Sequence, residues 1–339
     1  MTQKKSNHLA AALRGLFCDY LPKLKGTSSH TIGSYRDSVK LLLTFLTSEK
    51  NSVDSLSFED IDVNKIIAFL EHLEVNRHNS SGTRNVRLSA IHSFFRYVAT
   101  MFPEHLELAQ RVLNIPFKRT TTRPIEYFEF EEISAVLEQI DRSTPDGQRD
   151  YALLALMFNT GARVQEVVDL KACDLHLVQP YSVHIFGKGR KERVCPIWPS
   201  TAHVLLQYIE DREIDARKPV TIFTNHLGTP LTRFGVRYIL EKRTRGASKN
   251  CQDLKGKRLH PHSIRHSTAV HLLKSGVDLA SIANWLGHAS PNTTNKYATI
   301  DLEMKRQALD KATPPHAAGA TIDSSWRQEP GILAWLQSL

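Results

Sequence analysis

The chain has 339 residues, 41% of them hydrophobic, with 44 Lys and Arg against 35 Asp and Glu, a formal net charge of +9. That length suits two or three domains with real cores, and the basic balance suits a partner carrying phosphates as well as a merely solvated basic surface. Four cysteines (Cys18, Cys173, Cys195, Cys251) form no C-x-x-C pair, which argues against a zinc ribbon, a redox motif or a disulfide framework and for a reduced, cytosolic protein. No run reaches the roughly 18 apolar residues of a membrane span. The first apolar stretch is broken by Arg14 and Gly15, so no signal peptide is expected.

Residues 6 to about 115 read as helical. Ile32, Tyr35, Val39, Leu42 and Leu46 recur at helical spacing behind an N-cap at Ser28 or Ser29. Ile66, Ile67, Phe69, Leu70 and Leu73 give a second helix. Val86, Ile91, Phe94, Phe95 and Val98 give a third, with Arg84, Arg87 and Arg96 outside the stripe. A short helix near 104–113 completes an N-terminal bundle over 1–115. The stretch "NIPFKRTTTRPIEYF" then has the composition of a linker over 116–124. Its Lys118 and Arg119 suit a strap along a phosphate backbone or an ordinary solvated connection.

A second domain is expected over 125–311. It opens with a helix at 129–140. "RDYALLALMFNTGARVQEVVDLKACDL" follows as a long apolar helix, a glycine-containing break and a further helix. "YSVHIFGKGRKERVCPI" alternates Val183 and Ile185 before its turn with Val194 and Ile197 after it, a β-hairpin with the charge at its tip. Helical stretches at about 200–214 and 232–246 lead into a basic insert. From Lys242 to Arg258 that insert holds seven basic residues and one acid, Asp253. Helices recur at 263–275, 279–286 and about 291–311. A Pro/Ala/Gly-rich tail, 312–339, ends in the apolar run Ile332–Leu339. The fold class is therefore mainly α with a small β-hairpin or sheet in the second domain.

Several chemistry-bearing residues stand in a fixed order: Arg163 in "NTGARVQEVVDL", Lys188 in "FGKGRKERV", His262 and Arg265 in "HPHSIRHSTAVHLL", His288 in "WLGHAS" and Tyr297 in "TTNKYATI". Singly, each has an ordinary structural reading. Arg163 suits a helix start paired with Glu166, Lys188 is a hairpin-tip lysine with Lys191 as a rival, and Tyr297 suits a surface aromatic. His260, His262, His266 and His271 raise a metal question, but "HSIRH" lacks the Glu of H-E-x-x-H, so no metal is assigned.

Together, and with His288 and Tyr297 nine residues apart, the set resembles the tyrosine recombinase or phage integrase family, which includes Xer-type resolvases and Cre. The resemblance covers 125–311 strongly and 6–115 more weakly. Val164 and Gln165 depart from the flanking residues often found after the first arginine, and the insert at 242–258 is longer than in compact members.

The resemblance implies a two-domain DNA clamp whose Tyr297 attacks a DNA phosphate and forms a 3′-phosphotyrosyl intermediate. Strands would then be exchanged through a Holliday junction. Arg163 and Arg265 would fork onto the non-bridging oxygens. A phenol has an ordinary pKa of about 10 and needs a base or a positive field, and His262 is the candidate acceptor. Lys188 would protonate the leaving 5′ oxygen, and His288 would hold the phosphate. Tyr297 is expected in a polar, accessible place, within reach of DNA.

A phosphotyrosyl link conserves the bond energy, so no cofactor, ATP or metal is expected. Neither a G-x-x-x-x-G-K-[ST] loop nor a carboxylate triplet is present. Arg84, Asn85 and Arg87 are candidates for the major groove, Lys118 and Arg119 for the backbone, and Lys242, Arg243 and Arg245 for backbone or groove contacts. Ile332, Leu333, Trp335 and Leu336 are candidates for docking in cis or in trans on a neighbouring copy. The expected partners are double-stranded DNA with inverted-repeat sites, further copies forming a synaptic tetramer, and partner recombinases, with no membrane. The expected place is the cytoplasm, on the bacterial nucleoid. Two alternatives share these residues: a topoisomerase IB-like nicking-rejoining enzyme and a catalytically silent DNA-binding regulator.

Overall fold

The computed structural model describes residues 8–47, 52–120, 125–187, 192–288 and 292–297. The chain divides between Arg123 and Pro124 into two compact units.

The first unit is all helical. α1 (His8–Arg14) runs on as a π-helical stretch, Gly15–Leu24. α2 (Ser29–Leu46), α3 (Val63–Val75), α4 (Ser81–Met101) and α5 (Leu106–Leu113) follow. Side chains close the helix starts. Ser28 accepts from the Thr31 N–H, Asp62 from Lys65 and Ser80 from Thr83; such a cap contributes about 1 kcal/mol. Leu16, Leu21, Ile66, Phe69, Leu70, Leu73, Leu88, Ile91, Phe95 and Val98 build the core.

The stripe of α4 differs from the sequence expectation. Val86 is 52% exposed and Arg84 only 6%. The inward positions are Leu88, Ile91, Phe95 and Val98, and the Arg84 guanidinium turns in because Nη1 donates to Pro116 O at 3.0 Å. On α3, Ile67 likewise faces out.

The second unit comprises α6 (Phe130–Glu138), α7 (Pro145–Thr160), α8 (Val164–Val168), β1 (Leu175–His176), β2 (Ser182–Phe186), β3 (Glu192–Pro196), α9 (Pro199–Glu210), α10 (Arg233–Ala247), α11 (Pro261–Lys274), α12 (Leu279–Leu286) and α13 (Asn292–Asn295). α7 is apolar nearly all round from Ala152 to Phe158 because it is a central helix, packed by α9 and α11. The three strands form one antiparallel sheet in the order β1-β2-β3, so the mainly helical class with a small sheet holds.

In the β2–β3 register Val183 faces Cys195 and Ile185 faces Arg193. The buried set is Val183, Ile185, Cys195 and Ile197, whereas Val194 is 68% exposed. Val194 therefore faces away from the core, contrary to the expectation, because one position along a strand reverses the side chain. The helix expected at about 232–246 is α10, and Lys242, Arg243 and Arg245 of the basic stretch lie in its last turns.

Candidate active site

Two left-handed glycines shape the site. Gly161 (φ 58°) ends α7, and Gly287 (φ 63°) ends α12. A Cβ at Gly161 would overlap the Leu286 Cδ2 methyl, so the two helix ends meet more closely than any side chain allows.

Two residues after Gly161, Arg163 is the extended residue that starts α8. Its N–H donates to Glu166 Oε2 at 2.9 Å and its Nη1 to Glu166 Oε1 at 2.8 Å. Glu166 is nearly buried and takes a further bond at 2.9 Å from Arg193 Nη2 on β3. Burial works to raise the Glu166 carboxyl, but the hydrogen bonds and charges of Arg193 and Arg163 outweigh it and hold it below the ordinary value.

Arg265 on α11 is 1% exposed. Its Nη1 donates to Gly161 O and its Nη2 to Leu286 O, both at 2.6 Å. Burial, aided by the charge of Arg163, pushes the guanidinium down to about 9, so it stays charged at neutral pH. Arg193 Nε donates to Trp285 O at 2.9 Å, and Arg163 Nη2 reaches Gly287 O at 3.4 Å. Three consecutive carbonyls at the end of α12 thus each meet a different arginine. A helix C-terminus carries partial negative charge, which holds three like-charged groups near one another.

The histidines lie beside them. On α11, His262 and His266 meet edge to face at 4.5 Å between ring centroids. Burial first, then the charge of Arg265, pushes His262 down to about 4; burial and His262 push His266 to about 3. His288 is pushed to about 4 by burial and Arg265, and its Nδ1 is 2.7 Å from Thr294 Oγ1. All three rings are neutral at pH 7.

Tyr297 contradicts the expectation of an accessible place. It is 0% exposed, in a small cluster with Ala269, Val270, Leu273, Ile282 and Leu286. Its Oη lies 2.7 Å from His266 Nδ1. Burial pushes the phenol up to about 12, against the opposing pull of Arg265. The residue bonded to the phenol is therefore His266 rather than His262. His288 lies nearly parallel to the Tyr297 ring at 6.5 Å, and Lys296 Nζ is 5.2 Å from its centroid.

Arg163, His262, Arg265, His288 and Tyr297 are accordingly brought to one region. Lys188 lies outside the described residues, as do Ile332, Leu333, Trp335 and Leu336. The other candidates are elsewhere. Arg84 is buried, Arg87 Nη1 donates to Ser38 Oγ at 3.0 Å, and Asn85 exchanges two bonds with the Lys118 main chain at 2.7 and 3.1 Å. Lys118 Nζ pairs with Glu74, and Arg119 is exposed. On α10, Arg243 is tied to Asp150 at 2.6 Å, while Lys242 and Arg245 point outward or lie at the surface.

Sequence reading missed Arg193 and the roles of His266 and Thr294 as contacts. Only the adjacency of His266 to Arg265 in "HSIRH" pointed that way. Among the described residues, three possible metal donors converge only at His8, Glu104 and His105, in the first unit, and not on α11.

Comparison with known proteins agrees with this architecture. Residues 126–304 match the phage integrase family, and residues 15–100 match the phage integrase N-terminal SAM-like domain. A putative integrase/recombinase, y4rC, of Sinorhizobium fredii is 40% identical over 336 residues, 99% of each chain. Tyrosine recombinase XerC of Bacillus pumilus is 30% identical over 299 residues, 86% of this chain and 93% of that one. Among solved structures, the XerH site-specific recombinase in its post-cleavage complex with a palindromic difH substrate has a TM-score of 0.67 at 23% identity, covering 91% of this chain and 90% of that one. The Tn1549 transposon integrase with transposon right-end DNA has a TM-score of 0.66 at 15% identity, covering 88% and 98%. No helix among the described residues is long and apolar enough to cross a membrane.

Proposed function

The chain belongs to the phage integrase family and is a tyrosine recombinase, and from that premise we propose how its residues cut and rejoin DNA at specific sites. Arg163 and Arg265 hold the non-bridging oxygens of the scissile phosphate, where charge grows in the pentavalent transition state. Tyr297 Oη attacks phosphorus, the bond to the 5′ oxygen breaks, and a 3′-phosphotyrosyl link forms. Lys188 gives a proton to the departing 5′ oxygen, and His288 bonds the phosphate. His262, neutral at pH 7, takes the phenolic proton once Tyr297 has left His266. Attack by a free 5′ hydroxyl reverses the steps and joins the strands.

The observation that supports this reading most is the convergence of Arg163 and Arg265 on the carbonyls at the end of α12, with Tyr297 held on the adjoining helix α11 by His266. Tyr297 has no surface of its own, so the arrangement is a resting one and the phenol comes out of its cluster to react. Relatives named tyrosine recombinases favour strand exchange over simple nicking and rejoining or silent regulation.

The wider reading follows the same line. Residues 1–115 and 125–311 clamp a duplex, with the basic linker 116–124 between them. Four copies meet on paired inverted-repeat sites in the cytoplasm, on the nucleoid. The apolar run in the tail, Ile332, Leu333, Trp335 and Leu336, docks on a neighbouring copy. Lys242 and Arg245 contact the phosphate backbone.

The experiment is a nicked, labelled suicide duplex mixed with the protein without added metal and resolved on a denaturing gel. A covalent band absent from Tyr297→Phe is expected, with the label on the strand that carries the 3′ phosphate. No band on a duplex the protein demonstrably binds would refute the reading.

A further inference from the structure

Arg193 has a place in the site that the proposed chemistry leaves unused. It lies on the same face of β3 as the buried Cys195, is 11% exposed at its side chain, and bridges two elements far apart in sequence. Nη2 bonds Glu166 Oε2 at 2.9 Å, and Nε bonds Trp285 O at 2.9 Å. Glu166 Oε2 also takes the main-chain N–H of Arg163, while Oε1 takes the Arg163 side chain. The three groups sum to one positive charge. Without Arg193, Arg163 is the carboxylate's remaining hydrogen-bond partner, with one oxygen newly open to the same guanidinium. A forked Arg–carboxylate pair is the stronger arrangement, and it would turn Arg163 inward and cancel its charge.

We propose that Arg193 is a positioning residue for DNA cleavage: by sharing Glu166 and anchoring on the end of α12, it keeps the Arg163 guanidinium from closing a fork on Glu166 and leaves it turned toward the phosphate. The inference rests on the reading of Arg163 as a phosphate-holding residue. It extends that reading to a residue on a different element.

A charge-neutral scissile group separates this role from a merely structural one. In a duplex with a methylphosphonate at the cleaved position, one non-bridging oxygen becomes a methyl group, and the charge that the arginines neutralise is gone. On the ordinary duplex, Arg193→Gln is expected to slow covalent-complex formation roughly a hundredfold, the scale of a misplaced catalytic group. On the methylphosphonate duplex the same variant is expected to come within about threefold of the parent, as is Arg163→Ala, because the charge-stabilising contribution is no longer required. An equal defect on both duplexes for Arg193→Gln, with Arg163→Ala recovering, overturns the inference and leaves the reading of Arg163 intact. A full defect of Arg163→Ala on the neutral duplex overturns that reading and this inference with it. Duplex binding serves as the folding control. If Arg193→Gln does not bind, Arg193→Lys takes its place in the same comparison: it keeps the charge but cannot span Glu166 and Trp285 O as a fork.

Discussion

Both units turn arginines inward, and they use them differently. In the first unit, Arg84 and Arg87 lean inward onto Pro116 O and Ser38 Oγ, and the Nε of each is buried without a hydrogen-bond partner. In the second unit, Arg163, Arg193 and Arg265 end on Glu166 or on carbonyls of Gly161, Trp285, Leu286 and Gly287. A buried donor without a partner costs about 1–3 kcal/mol, so the first pair spends stability to brace a bundle. The second set is satisfied by its partners and concentrates positive charge in one place, the arrangement that the proposed chemistry would draw on.

The contrast can be broken or sharpened in order of effect. The largest effect is expected from Tyr297→Phe, which should abolish the covalent band and leave duplex affinity unchanged in a gel-shift titration. Next, Arg265→Gln should slow covalent-complex formation by roughly 10²–10³, the cost of one lost charge-stabilising donor. It should also lower the melting temperature, since Gly161 O and Leu286 O lose their donors in a buried place.

A pH series comes third. His262, His266 and His288 have folded-state values pushed down from 6.5 to about 4, 3 and 4. Depressed values mean that the fold favours the neutral rings. Their contribution is present above about 6.5 and is lost as pH falls toward 4. His92, also pushed down by burial, is the comparable ring in the first unit. Three such rings against one predict that proteolysis at decreasing pH opens the second unit first; simultaneous opening would refute this.

Fourth, Asn85→Ala removes two bonds to the Lys118 main chain and should destabilise the first unit by about 1–2 kcal/mol in denaturant titrations. A loss of duplex affinity at unchanged stability would instead return Asn85 to the DNA-contacting role that its position near a helix start suggested. The smallest effect belongs to Lys242→Ala, whose side chain is at the surface of α10. It should weaken binding evenly across duplex sequences and reduce the salt slope by about one.

Much of the site was legible because punctuation marks its elements. Gly161 and Pro261 announce the helix boundaries that set Arg163, His262 and Arg265, and Gly287 announces the turn before His288. Val194 departs from the expected pattern because it and Ile197 are three positions apart and so lie on opposite faces of a strand, and the register sets Cys195 beside Val183. The burial of Arg84 is not legible locally, because a polar residue beside an apolar stripe carries no sign of Pro116, 32 residues on, that draws it in. The Tyr297–His266 contact spans 31 residues, and Arg193 joins positions 27 and 92 residues away. Such pairings arise only when α11, α12 and β3 pack, and no local pattern encodes them.

For a residue proposed to sever DNA, the hazard is acting out of turn. Phosphodiesters surround such a protein at every moment, and a phenol on its surface would meet them at the frequency of diffusion. Tyr297, enclosed by Leu273, Ile282 and Leu286 and fastened to His266, is deaf to those collisions. Its first response is set by how often the enclosure opens, a property of the folded chain rather than of the concentration of DNA. Discrimination then begins before recognition of any base sequence, in the rate at which that enclosure opens.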